Sequence, residues 1–397
     1  MNGLKICGCG NFRRESDDSC SQSLVSHCFV FGRSLSVRSV DRRSRVDYCQ
    51  RYLVTEKGLS MKHANNPVIY PDNVPGETEQ YVPAPVQIGS DVWCYVKRSH
   101  AIDAWRSVDG GYSFTHENGG NPVLTGSPGL WDAARVLNPT AILTPNGSTI
   151  QLIYKGSPTQ SGPWSIGYAE ASVFDPTTFV KQGVIITDQD ISFAFGVNSI
   201  NNSADSVVFH NGQYHLWGWF HDPSYTADGG ATGLSGTFLA TGPTLGAMTI
   251  TPGLIERGNR GNYSTLDHPG IDPGSRIWSW YHQQPEVFRL PSGEWAMVSN
   301  RFTFATGGSA NLFRSPYWSS APAPVGPWTW KGRFPLQPEY SGQFWDGYAV
   351  YAIGVLKDCF GHVLVEDGRI KVYYSGSVDG VTTSRTGLYL LDPEVLR

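Results

Sequence analysis

The chain has 397 residues, of which 16% are charged and 13% aromatic, with 45 Gly and 26 Pro. Few charges, many turn formers and many rings exclude a helical bundle and suit strands joined by turns. A net charge of −4 gives no basic surface for nucleic acid or an anionic membrane, and no apolar run approaches the ~18 residues of a bilayer span.

Residues 1–60 differ from the rest. They hold eight Arg and five of the seven Cys, with Ser-rich patches and no sustained period of 2 or 3.6. Cys7, Cys9, Cys20, His27 and Cys28 match no standard zinc spacing. The segment reads either as a disordered extension or as non-native sequence upstream of a start at Met61. Only Cys94 and Cys359 lie beyond it, so packing must hold the remainder together rather than disulfides.

From residue 61 a repeat sets in. Five stretches share one grammar: an apolar run, a turn with Gly, then a run rich in aromatics. They cover 82–99, 137–157, 203–220, 283–301 and 361–376, with turns at Gly89-Ser90, Asn146-Gly147, Asn211-Gly212, Ser292-Gly293 and Asp367-Gly368. Such turns between alternating runs predict hairpins. A third segment follows each hairpin, and a fourth follows all but the last, where the chain stops at Arg397. Asn66-Pro67-Val68-Ile69 repeats the pattern Asn121-Pro122-Val123-Leu124, which leaves the first repeat. The N-terminal segment is therefore expected to supply the missing outer strand and close a ring, hiding edges that invite aggregation. Residues 61–397 are thus predicted to be an all-β, five-bladed β-propeller. The long insertions at 222–236 and 257–277 would wall its binding face.

In such a ring the first strand of each blade lines the central channel. The five openings read Tyr81-Val82-Pro83-Ala84, Leu137-Asn138-Pro139-Thr140, Asn202-Ser203-Ala204-Asp205, Gln283-Gln284-Pro285-Glu286 and Phe360-Gly361-His362. The turn Ser107-Val108-Asp109-Gly110, the run from Asn121 to Trp131-Asp132, and Gly361-His362 resemble the five-bladed glycosidases, glycoside hydrolase family 43 and its relatives in families 32, 117 and 130. That resemblance implies a general-base Asp in blade 1, a tuning Asp in blade 2, an acid Glu in blade 3, and a His after Gly in the last blade that helps hold a central ion. His362 matches the last of these. Blade 1 offers no carboxylate at its opening, with Glu77 and Glu79 just upstream. Blade 2 has Asn138 where Asp is expected, with Asp132 six residues earlier. Blade 3 has Asp205 for Glu, and blade 4 adds Glu286.

Glycoside hydrolysis needs a carboxylic acid of raised pKa and a second carboxylate that attacks or activates water. The candidates are Asp205 and Glu286, then Glu79 and Asp132. His362, Asn138, Gln284, Trp131 and Trp219 are expected to line the substrate pocket, since sugar rings stack on aromatics. Trp345-Asp346, which mirrors Trp131-Asp132, reads as a structural device between blades. No cofactor is required; a Ca2+ ion at the ring centre, held by His362, is the one ion the resemblance suggests. The expected function is a glycoside hydrolase acting on an oligo- or polysaccharide. The alternatives are a carbohydrate-binding propeller without catalysis and an interaction scaffold that binds no sugar. Neither a Gly-rich phosphate loop nor a nucleophile elbow nor a Cys-x-x-Cys pair is present.

Overall fold

Five strands carry the fold: Tyr81–Ile88, Arg135–Leu143, Asn201–His210, Ile277–Arg289 and Ala349–Val355. Each contacts the next, and the last contacts the first, so they close a ring about a central channel. Each is the inner strand of one antiparallel sheet, and the five sheets are the blades of a β-propeller. In this computed structural model the described residues are 60–70, 79–199, 201–222, 224, 234–258, 277–305, 313–338, 345–347, 349–377 and 384–397, with two short strands, Phe29–Val30 and Arg33–Ser34.

The chain divides into two compact units, residues 1–50 and 51–397. In the first, Phe29–Val30 pairs antiparallel with Arg33–Ser34. The extension expected at 1–60, the loop at 259–276 and most of the loop at 223–233 lie outside the described residues. No helix among the described residues is long and apolar enough to cross a membrane.

All five inner strands slip register at the same level. The slips fall between Tyr81 and Ala84, Leu137 and Thr140, Ala204 and Ser206, Gln283 and Glu286, and Tyr351 and Ile353. Three contain proline: Pro83, Pro139 and Pro285. Proline has no N–H to give a ladder, so a bulge is where a buried strand tolerates it. The residue before each proline takes up the distortion at positive φ: Val82 (57°), Asn138 (48°) and Gln284 (53°). That conformation is rare for a β-branched side chain, so Val82 marks stored strain. Its N–H is held by Ser375 Oγ at 2.8 Å. Bulges re-aim side chains; here they form a belt around the channel.

The ring closes as the sequence predicts. Met61–Lys62 pairs with Ser384–Leu391, the third strand of blade 5, and Ile69 bridges to Thr386. Leu124 bridges to Ile102 in blade 1, confirming the parallel between the two Asn-Pro segments.

The two Trp-Asp pairs build one latch twice. Trp131 stacks on Tyr154 with centroids 5.2 Å apart, and Trp345 on Tyr374 at 5.6 Å. Asp132 accepts from the Tyr154 hydroxyl at 3.0 Å and pairs with Lys181 at 2.5 Å. Asp346 accepts from the Tyr374 hydroxyl at 2.8 Å and pairs with Lys62 at 2.8 Å. Each indole covers two glycines, Gly156 and Gly167 or Gly376 and Gly387, where a Cβ would overlap the ring. Lys181 comes from the outer strand of blade 2 and Lys62 from the closing strand. The closing strand therefore does in blade 5 what an ordinary outer strand does in blade 2.

One expectation is corrected. The last blade does not open at Gly361-His362; its inner strand is Ala349–Val355, which pairs with Arg369–Ser377. Only Val365–Glu366 forms the short hairpin ladder across Asp367-Gly368. The Asp-Gly signal is real, but the run before it crosses the exits of the inner strands. Phe209 and Arg289, near the ends of theirs, donate backbone N–H to Cys359 and Gly361 carbonyls at 2.7 Å and 2.6 Å.

Candidate active site at the entrance of the ring

The strand register defines a layer above the belt of bulges. Tyr95, Ile153, Trp217, Val298 and Tyr374 pair with the first residue after each bulge. Two residues on, towards the entrance, stand Lys97, Lys155, Trp219, Asn300 and Gly376. The first four side chains are buried.

Asp205 is the extra residue of the blade 3 bulge. Its Oδ1 accepts from Ser203 Oγ at 3.1 Å, and Ser203 Oγ accepts from Asn138 Nδ2 at 3.2 Å, linking blades 2 and 3. Its Oδ2 and the Trp219 indole N–H are both sealed from water, and the indole acts on the carboxyl as a hydrogen-bonding neighbour that pulls its pKa down. Burial pushes the Asp205 carboxyl up to about 8, against the pull of Ser203 and Lys155 and with the push of the Glu286 charge. Asp205 is thus a carboxylic acid that keeps its proton near neutral pH.

Lys155 rises from the second strand of blade 2 beside it. Its ammonium donates to Asn201 Oδ1 and lies 3.8 Å from the centre of the Trp164 ring and 5.9 Å from that of Trp219. Burial brings its pKa down to about 7, offset in part by Asp205 and Asp188. Lys97, at the same position in blade 1, is 7% exposed and pairs with Glu79 at 2.9 Å and with the Tyr81 hydroxyl. Burial lowers its pKa as well. Asn300 Nδ2 donates to Gln284 Oε1 at 2.9 Å, completing the layer in blade 4.

Below the belt, Glu286 is 4% exposed and its partners are complete. Oε1 accepts from Lys357 Nζ at 2.9 Å and from Val355 N–H at 3.1 Å. Lys357 also donates to Ser206 Oγ at 2.9 Å and the Val287 carbonyl at 2.6 Å, so all three N–H bonds are used. Burial raises Glu286 and lowers Lys357, each opposed by its partner. Beyond this pair a cavity of about 320 Å³ opens among the hairpin turns, with Ile142, Val207 and Cys359 on its walls.

Of the expected site residues, the structure brings Asp205, Trp219 and Asn138 together, with Gln284 in the same layer. Glu79 stands at blade 1, tied to Lys97. Glu286 is near enough to shift Asp205 but has Lys357 as its own partner. Asp132 and Trp131 are not pocket residues: Asp132 is 0% exposed inside its latch. His362 lies at the exit end. Its Nδ1 is 3.1 Å from Asp358 Oδ2 and its Nε2 3.1 Å from Arg289 Nη1. A guanidinium against the imidazole repels a metal cation, so His362 does not fit a Ca2+ site. Among the described residues no three His, Cys, Asp or Glu side chains gather as metal ligands. Lys97 and Lys155 were not singled out in the sequence. Their signal was there: each follows the hairpin's second run at the place Trp219 takes in blade 3.

No protein-family model matches the sequence, and no curated protein does. Solved structures do. The α-L-arabinofuranosidase PaAbf62A from Podospora anserina, crystallised with cellotriose, aligns with a TM-score of 0.53 at 13% identity, over 82% of this chain and 94% of that one. A thermostable family-43 glycoside hydrolase gives 0.54 at 16% identity, over 80% and 91%. An enzyme of the family-130 mannoside phosphorylases and hydrolases, which target β-1,2-mannosidic linkages in Candida mannan, gives 0.51 at 13%, over 87% and 97%. The chain shares the fold of the five-bladed propeller glycosidases.

Proposed function

We propose that the protein hydrolyses glycosidic bonds at the entrance of the ring, with Asp205 as general acid. The observation that carries this is the place of Asp205: the extra residue of the blade 3 bulge, with Ser203 on its Oδ1 and its desolvated carboxyl pushed up to about 8. A carboxylic acid held neutral near pH 7 is what protonation of a departing sugar oxygen requires. The fold's glycosidase neighbours support the same reading.

In this reading Asp205 gives its proton to the glycosidic oxygen while Trp219 packs against the sugar. Glu79 supplies the second carboxylate, with Lys97 positioning it. Glu286 is a positioning residue: burial is what keeps the proton on Asp205, and the Glu286 charge below the belt adds to it. Asn138 and Ser203 orient the Asp205 carboxyl.

A panel of aryl glycosides and oligosaccharides tests this on wild type, Asp205→Asn, Glu79→Gln and Glu286→Gln, with circular dichroism to check folding. Loss of turnover of about a hundredfold or more in folded Asp205→Asn is expected. Full turnover in that variant would remove the assignment. A second reading, a sugar-binding propeller without catalysis, draws on blade 1, whose opening Tyr81-Val82-Pro83-Ala84 holds no carboxylate. Binding of oligosaccharide without turnover of any glycoside would favour it.

A further inference from the structure

The cation at the site is poorly matched by the acids around it. Lys155 is 5% exposed, yet one acceptor, Asn201 Oδ1, takes one of its three N–H bonds. Among the described residues no carboxylate oxygen lies within 4.0 Å of its Nζ. Asp205, the acid whose charge acts on it most, has turned its Oδ1 to Ser203 and is held by the Trp219 indole as well. Asp188 is engaged by the Trp164 N–H at 2.7 Å and by Asn202. The charges of Arg135 and Lys97 reach Lys155 as well. A buried ammonium without a hydrogen-bonded countercharge is costly, which is why the pKa of Lys155 falls to about 7, and a bound carboxylate would favour the charged form. The Trp164 face offsets part of that cost by cation–π attraction, but it accepts no proton-directed bond.

We infer that the entrance takes a sugar bearing a carboxylate, a hexuronic acid unit, whose carboxylate binds the ammonium of Lys155. This rests on the glycosidase reading for its use, but the recognition stands on the local charge. A carboxylate supplies two acceptors for the two open N–H bonds, and charge-assisted bonds in a dry site are the strong ones. Trp164 and Trp219 flank the ammonium, so the sugar ring that carries the carboxylate meets apolar faces. Lys155 and Asp205 rise from neighbouring blades, which puts the anionic group and the proton donor within one sugar residue of each other. The matching position of blade 1 does not offer the same chance, because Glu79 already neutralises Lys97.

Calorimetric titration tests this apart from turnover. Glucuronate and galacturonate are compared with glucose and galactose, alongside inorganic phosphate, on wild type, Lys155→Met and Lys155→Arg at one ionic strength. Wild type should favour each acid over its neutral partner by at least about tenfold. Lys155→Met should reduce that preference to within about threefold, while Lys155→Arg keeps most of it. Equal binding of acid and neutral sugar by wild type would overturn the inference, and so would an undiminished preference in Lys155→Met. Displacement of the uronates by equimolar phosphate would assign the site to a free anion instead and overturn it too. If Lys155→Met does not fold, the wild-type ratio and the Lys155→Arg variant decide. Acid preference without cleavage of any glycoside would keep this inference and remove the catalytic reading; cleavage of neutral glycosides without acid preference would do the reverse.

Discussion

Two lysine–carboxylate neighbourhoods lie in the channel, one on each side of the belt of bulges, and they are built to opposite rules. Below the belt, Lys357 uses every N–H and sits 2.9 Å from Glu286. Above it, Lys155 and Asp205 make no ion pair, and the Lys155 ammonium has a single hydrogen-bond acceptor, Asn201 Oδ1. Each place holds one buried side chain, Glu286 or Lys155, and one part-buried, Lys357 or Asp205, so burial does not separate them. Saturation does. Protein interiors satisfy their polar groups almost everywhere, so the unsatisfied neighbourhood is the one left open for a ligand. The saturated one is a brace.

The first way to break this comparison is at the open side. Asp205→Asn should cost turnover of about a hundredfold or more while the fold persists, read from steady-state kinetics and circular dichroism. In wild type, kcat should fall as pH rises through about 8, because the acid is then ionised. A flat alkaline profile would mean that another group donates the proton.

The brace should answer differently. Glu286→Ala leaves Lys357 its bonds to Ser206 and Val287 but no countercharge, at a cost of about 3–5 kcal/mol in urea unfolding. Adding Lys357→Met should restore a large part of it. If Glu286→Ala were as stable as wild type, the pair would not be the brace described. Asp205→Asn should move stability the other way. The folded state raises the pKa of Asp205 far above its unfolded value near 3.8. Between about pH 4 and pH 8 the folded chain therefore holds a proton that the unfolded chain has lost, and wild-type stability falls with rising pH. The variant's advantage should grow over that window and level off above it.

The smallest effect belongs to the latches. Tyr154→Phe and Tyr374→Phe each remove one hydroxyl donor from a buried Asp, and each should cost about 1–2 kcal/mol. They sit in different blades, so the losses should add. The Tyr374 hydroxyl also accepts from Asn66 Nδ2 at 3.3 Å, so its loss should be the larger; the reverse order would show that the closing strand holds blade 5 less firmly than an ordinary outer strand holds blade 2.

The ring was legible because its hairpin turns are chemically specific. Gly89, Asn146-Gly147, Asn211-Gly212 and Ser292-Gly293 all fall between inner and second strands. Blade 5 was misread for a physical reason. Its inner strand, Ala-Val-Tyr-Ala-Ile-Gly-Val, is buried at every position. A strand buried on both faces shows no alternation, and alternation is what marks a half-exposed strand. The exposed Asp-Gly hairpin next to it carried the stronger local signal. Asp205 was legible as a carboxylate at a blade opening. Asp132 was misleading, because a Trp-Asp run looks the same whether it faces a sugar or a tyrosine. The lysines were missed because an isolated Lys in a strand reads as surface charge, and only the register around the bulges puts Lys97 and Lys155 in one layer.

The clasp between the two ends of the propeller has a consequence for biosynthesis. Ser60 accepts from Asp392 across 332 residues, and Asn66 bonds Leu388 across 322. Loop-closure entropy grows only slowly with length, so the clasp need not be weak once formed. It must come last, however. As the chain leaves the ribosome, blades 1–4 can pair from residues already made, while blade 5 lacks its third strand until Ser384–Leu391 is complete. Through all that time the segment 60–69 waits unpaired, because the edge it will cover is among the last residues made. Topologies ruled by distant contacts fold slowly and expose such edges. Ring closure, not the formation of any one blade, is then the step at which a nascent molecule commits to its native form.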